Sequence, residues 1–168
     1  MAQEDLAESF FEDQAKVIEE LKDFKNTEKT VAYFYMNSDG SVVVRKSDDY
    51  IPSMIEIAGG RYIFTDLKNA DSNAPSVKLT MEEFYATAVD TDYLIYNGTI
   101  EGELTSVDEL IKKNSLFADF KAVKSGQVYT TGSNFYQQTS MTCDFIEDLN
   151  KVLTGSDDTD YHFLKHIQ

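Results

Sequence analysis

The chain is poor in cysteine, proline and basic side chains, and it has no tryptophan. Cys143 is the only cysteine among 168 residues, so no intramolecular disulfide and no multi-cysteine metal site can form. Fifteen Lys and Arg stand against thirty Asp and Glu, a net charge of -15. Binding a phosphate backbone requires clustered cations, and the nearest approaches, Lys112-Lys113 and Lys121 to Lys124, are sparse. The composition therefore argues against nucleic acid, and against an anionic membrane surface for the same reason. No apolar run approaches the roughly 20 residues that span a bilayer. The first ten residues lack the basic and apolar regions of a signal peptide, so the sequence as it stands is expected to be soluble and not exported. No nucleophile and base occur at a recognisable spacing, which leaves a small hydrolase without support. Neither an enzymatic activity nor a cofactor is expected.

What is present reads as one globular unit. Hydrophobic residues make up 42% of the chain, enough for a core of its own at this length. Leu6, Phe10, Val17, Leu21 and Phe24 recur at helical steps and form one apolar stripe, widened by Phe11 and Ile18. Val31 to Met36 is a continuous apolar run, as an inner parallel strand should be. Asn37-Ser38-Asp39-Gly40 carries turn chemistry, and Ser41 to Arg45 reads as the returning strand of a hairpin. A helix is expected from about Asp49 to Ala58, with Asp48 or Asp49 as cap, Pro52 in its first turn and Gly59-Gly60 as its stop. Tyr62 to Phe64 is a short strand, and Lys68 to Ser76 a polar loop. Thr80-Met81-Glu82-Glu83 has the pattern of a capping box, opening a helix that turns through Asp90-Thr91-Asp92 into the apolar strand Tyr93 to Tyr96. A loop to Glu103, a helix from about Val107 to Lys113 capped by Thr105 or Ser106, and a strand at Gln127 to Thr130 follow. The last main helix is expected from near Tyr136 to Leu153, ending at Gly155. Residues 156–168 are acidic and then apolar, and are expected to dock as a final helical turn. Strands alternating with helices mean an α/β layer architecture.

Several chemical signals dissolve on inspection. His162 and His166 are spaced i, i+4 without a companion carboxylate motif. Asn69-Ala70-Asp71-Ser72-Asn73 begins like a calcium loop, but Ala74 replaces the obligatory glycine and Thr80 stands where the bidentate Glu belongs. Cys143 reads as a small buried hydrophobe. The triplet Asn97-Gly98-Thr99 matches a glycosylation sequon that arises often by chance. More informative are the residues expected at the carboxyl ends of strands, where open α/β sheets bind ligands. Met36 and Asn37 follow the first strand, and Tyr96, Asn97 and Gly98 the apolar strand after the capped helix. Asn134 and Tyr136 follow the last strand by way of Thr131, Gly132 and Ser133. With Arg45, Lys46 and Tyr50 they would line one rim with aromatic faces, amides and two cations.

Tyr50-Ile51-Pro52-Ser53-Met54-Ile55-Glu56-Ile57-Ala58-Gly59-Gly60, Thr80-Met81-Glu82-Glu83 and Asp92-Tyr93-Leu94-Ile95-Tyr96 carry a resemblance. They are similar to the C-terminal lobe of ABC-transporter substrate-binding proteins of the iron-siderophore, haem and cobalamin type. Lys121-Ala122-Val123-Lys124-Ser125-Gly126-Gln127-Val128-Tyr129 matches the family's basic turn before its last strand, and the resemblance covers nearly all of Thr30 to Gly155. It implies a three-layer α/β lobe with a mostly parallel sheet flanked by helices, preceded by a long linking helix. Residues 1–28 would be the end of that helix, 29–155 the ligand-binding lobe and 156–168 a tail. The resemblance further implies an ABC permease as partner, an N-terminal lobe of the same protein, and an iron chelate or tetrapyrrole as ligand. It also implies an extracytoplasmic setting, periplasmic or as a membrane-anchored lipoprotein. In the family an exposed Glu near the cap of this helix docks on the permease. Glu82 matches counted from the cap and Glu83 counted from the strand; a Glu83 engaged in the capping box leaves Glu82 freer. The alternative is a protein interaction domain that dimerises or recruits a partner through residues 6–24.

Overall fold

The computed structural model describes residues 19, 24–67, 74–133, 135 and 142–168. Of the amphipathic N-terminal stripe only Phe24 lies within these residues, so most of the expected linking helix and of the alternative dimerisation surface lies outside them; residues 24–28, assigned to that helix, are not helical. The elements in chain order are β1 (Thr30–Met36), β2 (Val42–Arg45), α1 (Tyr50–Ile57), β3 (Arg61–Tyr62), β4 (Ser76–Leu79), α2 (Met81–Ala88) and β5 (Tyr93–Tyr96). They continue with α3 (Gly98–Glu101), α4 (Val107–Lys113), a 3-10 turn (Ser115–Asp119), α5 (Lys121–Lys124), β6 (Val128–Thr131), α6 (Thr142–Thr154) and β7 (Leu164–His166).

The strands form one seven-stranded sheet in the order β4-β2-β1-β5-β6-β7, with β3 paired to the start of β1. Its centre, β1-β5-β6, is parallel, and its flanks β2, β4 and β7 pair antiparallel. The central strands are largely apolar, β5 (Tyr93–Tyr96) in every position, because helices cover both faces. Phe34 and Tyr96 point to one face, where Phe34 meets Phe84 of α2 at 4.7 Å between ring centroids and Phe117 at 5.5 Å. Phe84 in turn stacks on Phe120 and Phe64, so a continuous aromatic layer joins β1, α2 and the 3-10 turn. Offset and tilted rings in such contact add to what their buried area contributes. The opposite face, that of Tyr129, is covered by α6, whose Asn150 amide donates to the Ala58 carbonyl at the end of α1. Three layers result.

Local chemistry places the ends as the sequence suggests. Asp49 caps α1 by accepting from Ile51 N–H, and Ser106 caps α4. Thr80 and Glu83 form the complete capping box of α2. Of the Gly59-Gly60 pair, only Gly59 takes the left-handed conformation, at φ 90°. Gly60 is needed for closeness instead: a Cβ there would lie 2.9 Å from Leu153 Cδ1.

Three expectations are corrected. Ser76–Leu79, placed in or beside a polar loop, pairs with β2 as an edge strand; being half exposed, it shows no apolar run. The segment after Tyr96 contains the short helix α3 rather than a plain loop. The tail is not a helical turn but strand β7, paired with β6 from Tyr129-His166 to Thr131-Leu164. The cause is Asp148 on α6, which is fully buried and accepts the backbone N–H groups of His162, Phe163 and Leu164 at 3.0, 2.7 and 3.1 Å. The carboxylate thereby fixes the start of the strand against α6. Residues 156–168 thereby complete the sheet, and His162 and His166 do not share a helical face.

At the amino end of the sheet Asp92 accepts from the Thr30 N–H and hydroxyl and from Lys121 Nζ, at 2.8, 3.0 and 2.7 Å. Burial pushes its carboxyl up, but the Lys121 and Thr30 donors together hold it below its ordinary 3.8. A depressed carboxylate stabilises the fold above its unfolded pKa and loses that contribution as pH falls through the folded value.

Two measurements check these roles. Asp148→Ala strands three amides, two of them buried, and its urea midpoint at neutral pH should fall by the equivalent of about 3 kcal/mol. Asp92→Asn should be less stable than the parent at pH 7, and the two melting curves should converge as the pH drops below 3.8.

Candidate ligand-binding rim

The carboxyl ends of β1, β5 and β6 are laced to one another. Asn97 N–H donates to the Phe34 carbonyl at 2.7 Å, and Gly98 N–H to the Thr131 hydroxyl at 3.1 Å. Just past β6, Ser133 N–H donates to Glu103, which also holds Lys165 of β7. Lys165, and then the Ser133 amide, keep the Glu103 carboxyl below the usual range. Loops distant in sequence thus form one continuous rim.

A cavity of about 150 Å³ opens at this rim, lined among others by Tyr33, Tyr35, Arg45, Asn97 and Ile100. Tyr33 and Tyr35 share the face opposite Phe34 because side chains alternate along a strand. Arg45 is fixed twice over. Tyr62 accepts from its backbone N–H at 3.0 Å and donates to its carbonyl at 2.8 Å, while its guanidinium lies 3.7 Å from the Asp49 carboxylate. It also stands over the ring of Tyr50, 5.6 Å from the centroid. Tyr50 and Ile100 are about half exposed, at 48% and 53%. The rim therefore presents rings, an aliphatic side chain and one braced guanidinium.

The residues singled out in the sequence divide by position. Arg45 and Asn97 line the cavity, and Tyr50 stands beside Arg45. Asn37 lies at the hairpin turn, its amide donating to Ser41 Oγ. Met36 and Tyr96 point into the aromatic layer and are buried, so they shape the rim from beneath without facing it. Lys46 is only 8% exposed, its backbone tied to Pro75. The Asn97 side-chain oxygen caps α3 through Thr99, and Gly98 is packed so tightly that a Cβ would sit 2.3 Å from the Thr131 carbonyl oxygen. Asn134 and Tyr136 lie outside the described residues. Tyr33, Tyr35 and Ile100 were not foreseen. The first two could have been found by applying the period of two to the strand Val31 to Met36, whereas Ile100 on a four-residue helix gives no signal.

The start of α2 lies at the same end of the sheet, since Leu79 pairs with Val42 and Val42 with Met36, the last residue of β1. Glu83 accepts from Thr80 N–H at 2.8 Å and from its hydroxyl, which holds its carboxyl below the ordinary value. Glu82 is exposed in the first helical turn. No group of three His, Cys, Asp or Glu suited to a metal ion forms among the described residues.

Residues 2–135 match the family model described as periplasmic binding protein, and the chain belongs to that family. Family members and structural neighbours are non-enzymatic solute-binding proteins. An uncharacterized lipoprotein of Methanocaldococcus jannaschii is 28% identical over 95% of this chain and 41% of its own length. The ABC-type Fe3+-hydroxamate transport protein of Saccharomonospora viridis superposes with a TM-score of 0.66 at 16% identity, over 90% of this chain and 50% of that one. The periplasmic haem binding protein HutB of Vibrio cholerae gives 0.63 at 15% identity, over 90% and 56%. At such identities the structures share the fold. The chain spans about half the length of these relatives, or less.

Because Gly98 admits no side chain against Thr131, Gly98→Ala should cost about 1–3 kcal/mol by overpacking. A lowered melting temperature with unchanged far-ultraviolet dichroism at low temperature is the expected result.

Proposed function

We propose that this chain is the C-terminal lobe of the solute-binding component of an ABC importer. It captures an iron chelate, haem or a cobalamin-like ligand at the rim, and it docks on the permease through Glu82. The observation that carries the reading is the convergence of the β1, β5 and β6 ends on one rim with Arg45 braced inside it. A flat ligand gains contact area on Tyr50, Tyr35 and Ile100 at small entropic cost, and a guanidinium orients an acidic group on that ligand. Asn37, Arg45, Asn97 and Tyr50 are the polar and aromatic contacts of this reading. Glu83 is committed to its own helix cap, so Glu82 is the carboxylate free to meet an arginine fork. The N-terminal segment ahead of β1 supplies the link to an N-terminal lobe that closes the other side of the ligand. The setting is extracytoplasmic, either periplasmic or lipid-anchored.

Titration of the chain with haem, cyanocobalamin and a ferric hydroxamate tests the ligand class by absorbance. One of the three should bind saturably, and Arg45→Ala should weaken it about tenfold or more. If none binds, the ligand class is wrong. With the permease reconstituted, Glu82→Ala should impair transport at unchanged ligand affinity; a fall in affinity would move Glu82 into the pocket instead.

A further inference from the structure

The largest cavity described, about 660 Å³, is not at the rim. It lies toward the amino ends of β5 and β6, on the face opposite Phe34, between the last turns of α6, the loop after it and β7. Its floor is aromatic. Tyr129 is the central ring, with Tyr93 at 6.4 Å, Tyr161 edge-on at 6.2 Å and His166 at 4.9 Å between centroids. Tyr129 is a nearly buried phenol hydrogen-bonded to Tyr161, and burial keeps its hydroxyl protonated far above neutral pH. The rings are therefore neutral, with electron-rich faces.

The charges around the cavity disfavour an anionic occupant. Lys151 is committed to the Asp158 carboxylate at 2.7 Å and to the Asp160 carbonyl at 3.1 Å. Lys165 turns its ammonium to Glu103. His166 Nε2 lies 2.6 Å from the Gly126 carbonyl oxygen, the distance of a hydrogen bond it donates. Among the described residues lining the cavity both lysines are thus paired with acceptors, while Asp160 lines the wall and the whole chain carries a net charge of -15. A ring-floored cavity in a negative field favours a positive, weakly hydrated guest.

We propose that this cavity is a second binding site, selective for a small organic cation of the quaternary ammonium class, held over the faces of Tyr129, Tyr161 and Tyr93. It is independent of the rim and of the importer reading.

The probe is choline, with dimethylbutanol, its uncharged carbon isostere, as control. The chain has no tryptophan, so its emission comes from ten tyrosines, three of which line this cavity. Choline should change that emission saturably and raise the melting temperature, and the isostere should do neither. Tyr161→Leu should weaken choline about fivefold to thirtyfold, the range of a desolvated cation over a ring. Tyr161→Phe keeps the ring and should bind within about twofold of the parent, and Arg45→Ala should leave binding unchanged. No saturable response, or an equal response to the isostere, overturns the proposal without need of any variant. So does loss of binding in Tyr161→Phe, which would assign recognition to the hydroxyl, or in Arg45→Ala, which would assign it to the rim.

Discussion

Phe34 sits where the layers of this fold meet, and the burial of β1 on both faces is the constraint that the other elements satisfy. From Val31 to Phe34 the strand is at most 1% exposed. Its backbone groups must be paired on both sides, because a buried unpaired amide is costly. β5 takes one side, while β2 and β3 divide the other. Its side chains must then be covered above and below, by the aromatic layer around Phe84 and by helices on the other face. The parallel centre, the crossover helices and the position of the rim follow from that one requirement.

The same strand supplies both the core and the site. Phe34 anchors the aromatic layer, and its neighbours Tyr33 and Tyr35, turned the other way by the pleat, line the rim cavity. The described loops of the rim are fastened to each other. Asn97 binds the end of β1, Gly98 the end of β6, and Glu103 joins the loop past β6 to β7. Preorganisation of this kind lowers the ordering cost of binding. It also separates rim and tyrosine-floored cavity, which lie toward opposite ends of β5 and share no lining residue.

Elements whose physics is local were legible beforehand. The capping box at Thr80 and Glu83, the Asp49 cap, the hairpin turn and the apolar strands at Val31 and Tyr93 depend on neighbours within a few residues. β4 was not legible, because a half-exposed edge strand has neither an apolar run nor a clean alternation. β7 was not legible either, because its geometry depends on a carboxylate fourteen or more residues earlier, at Asp148. The rim was foreseen as an edge but not in its detail. Met36 and Tyr96 follow the expected strands yet turn inward, and Gly98 is held by packing against a carbonyl from a strand 33 residues away.

The amino-acid order by itself determined most element types, the α/β class and the family resemblance, since each rests on periodicity, capping or local motifs. Only the tertiary structure decided which side of each strand faces the cavity, which carboxylates are spent on the fold and which remain free. Those outcomes arise from contacts between segments far apart in the chain. Asp148 is engaged because of where the backbone brings donors fourteen to sixteen residues away to meet it, and no spacing along the sequence encodes such a meeting.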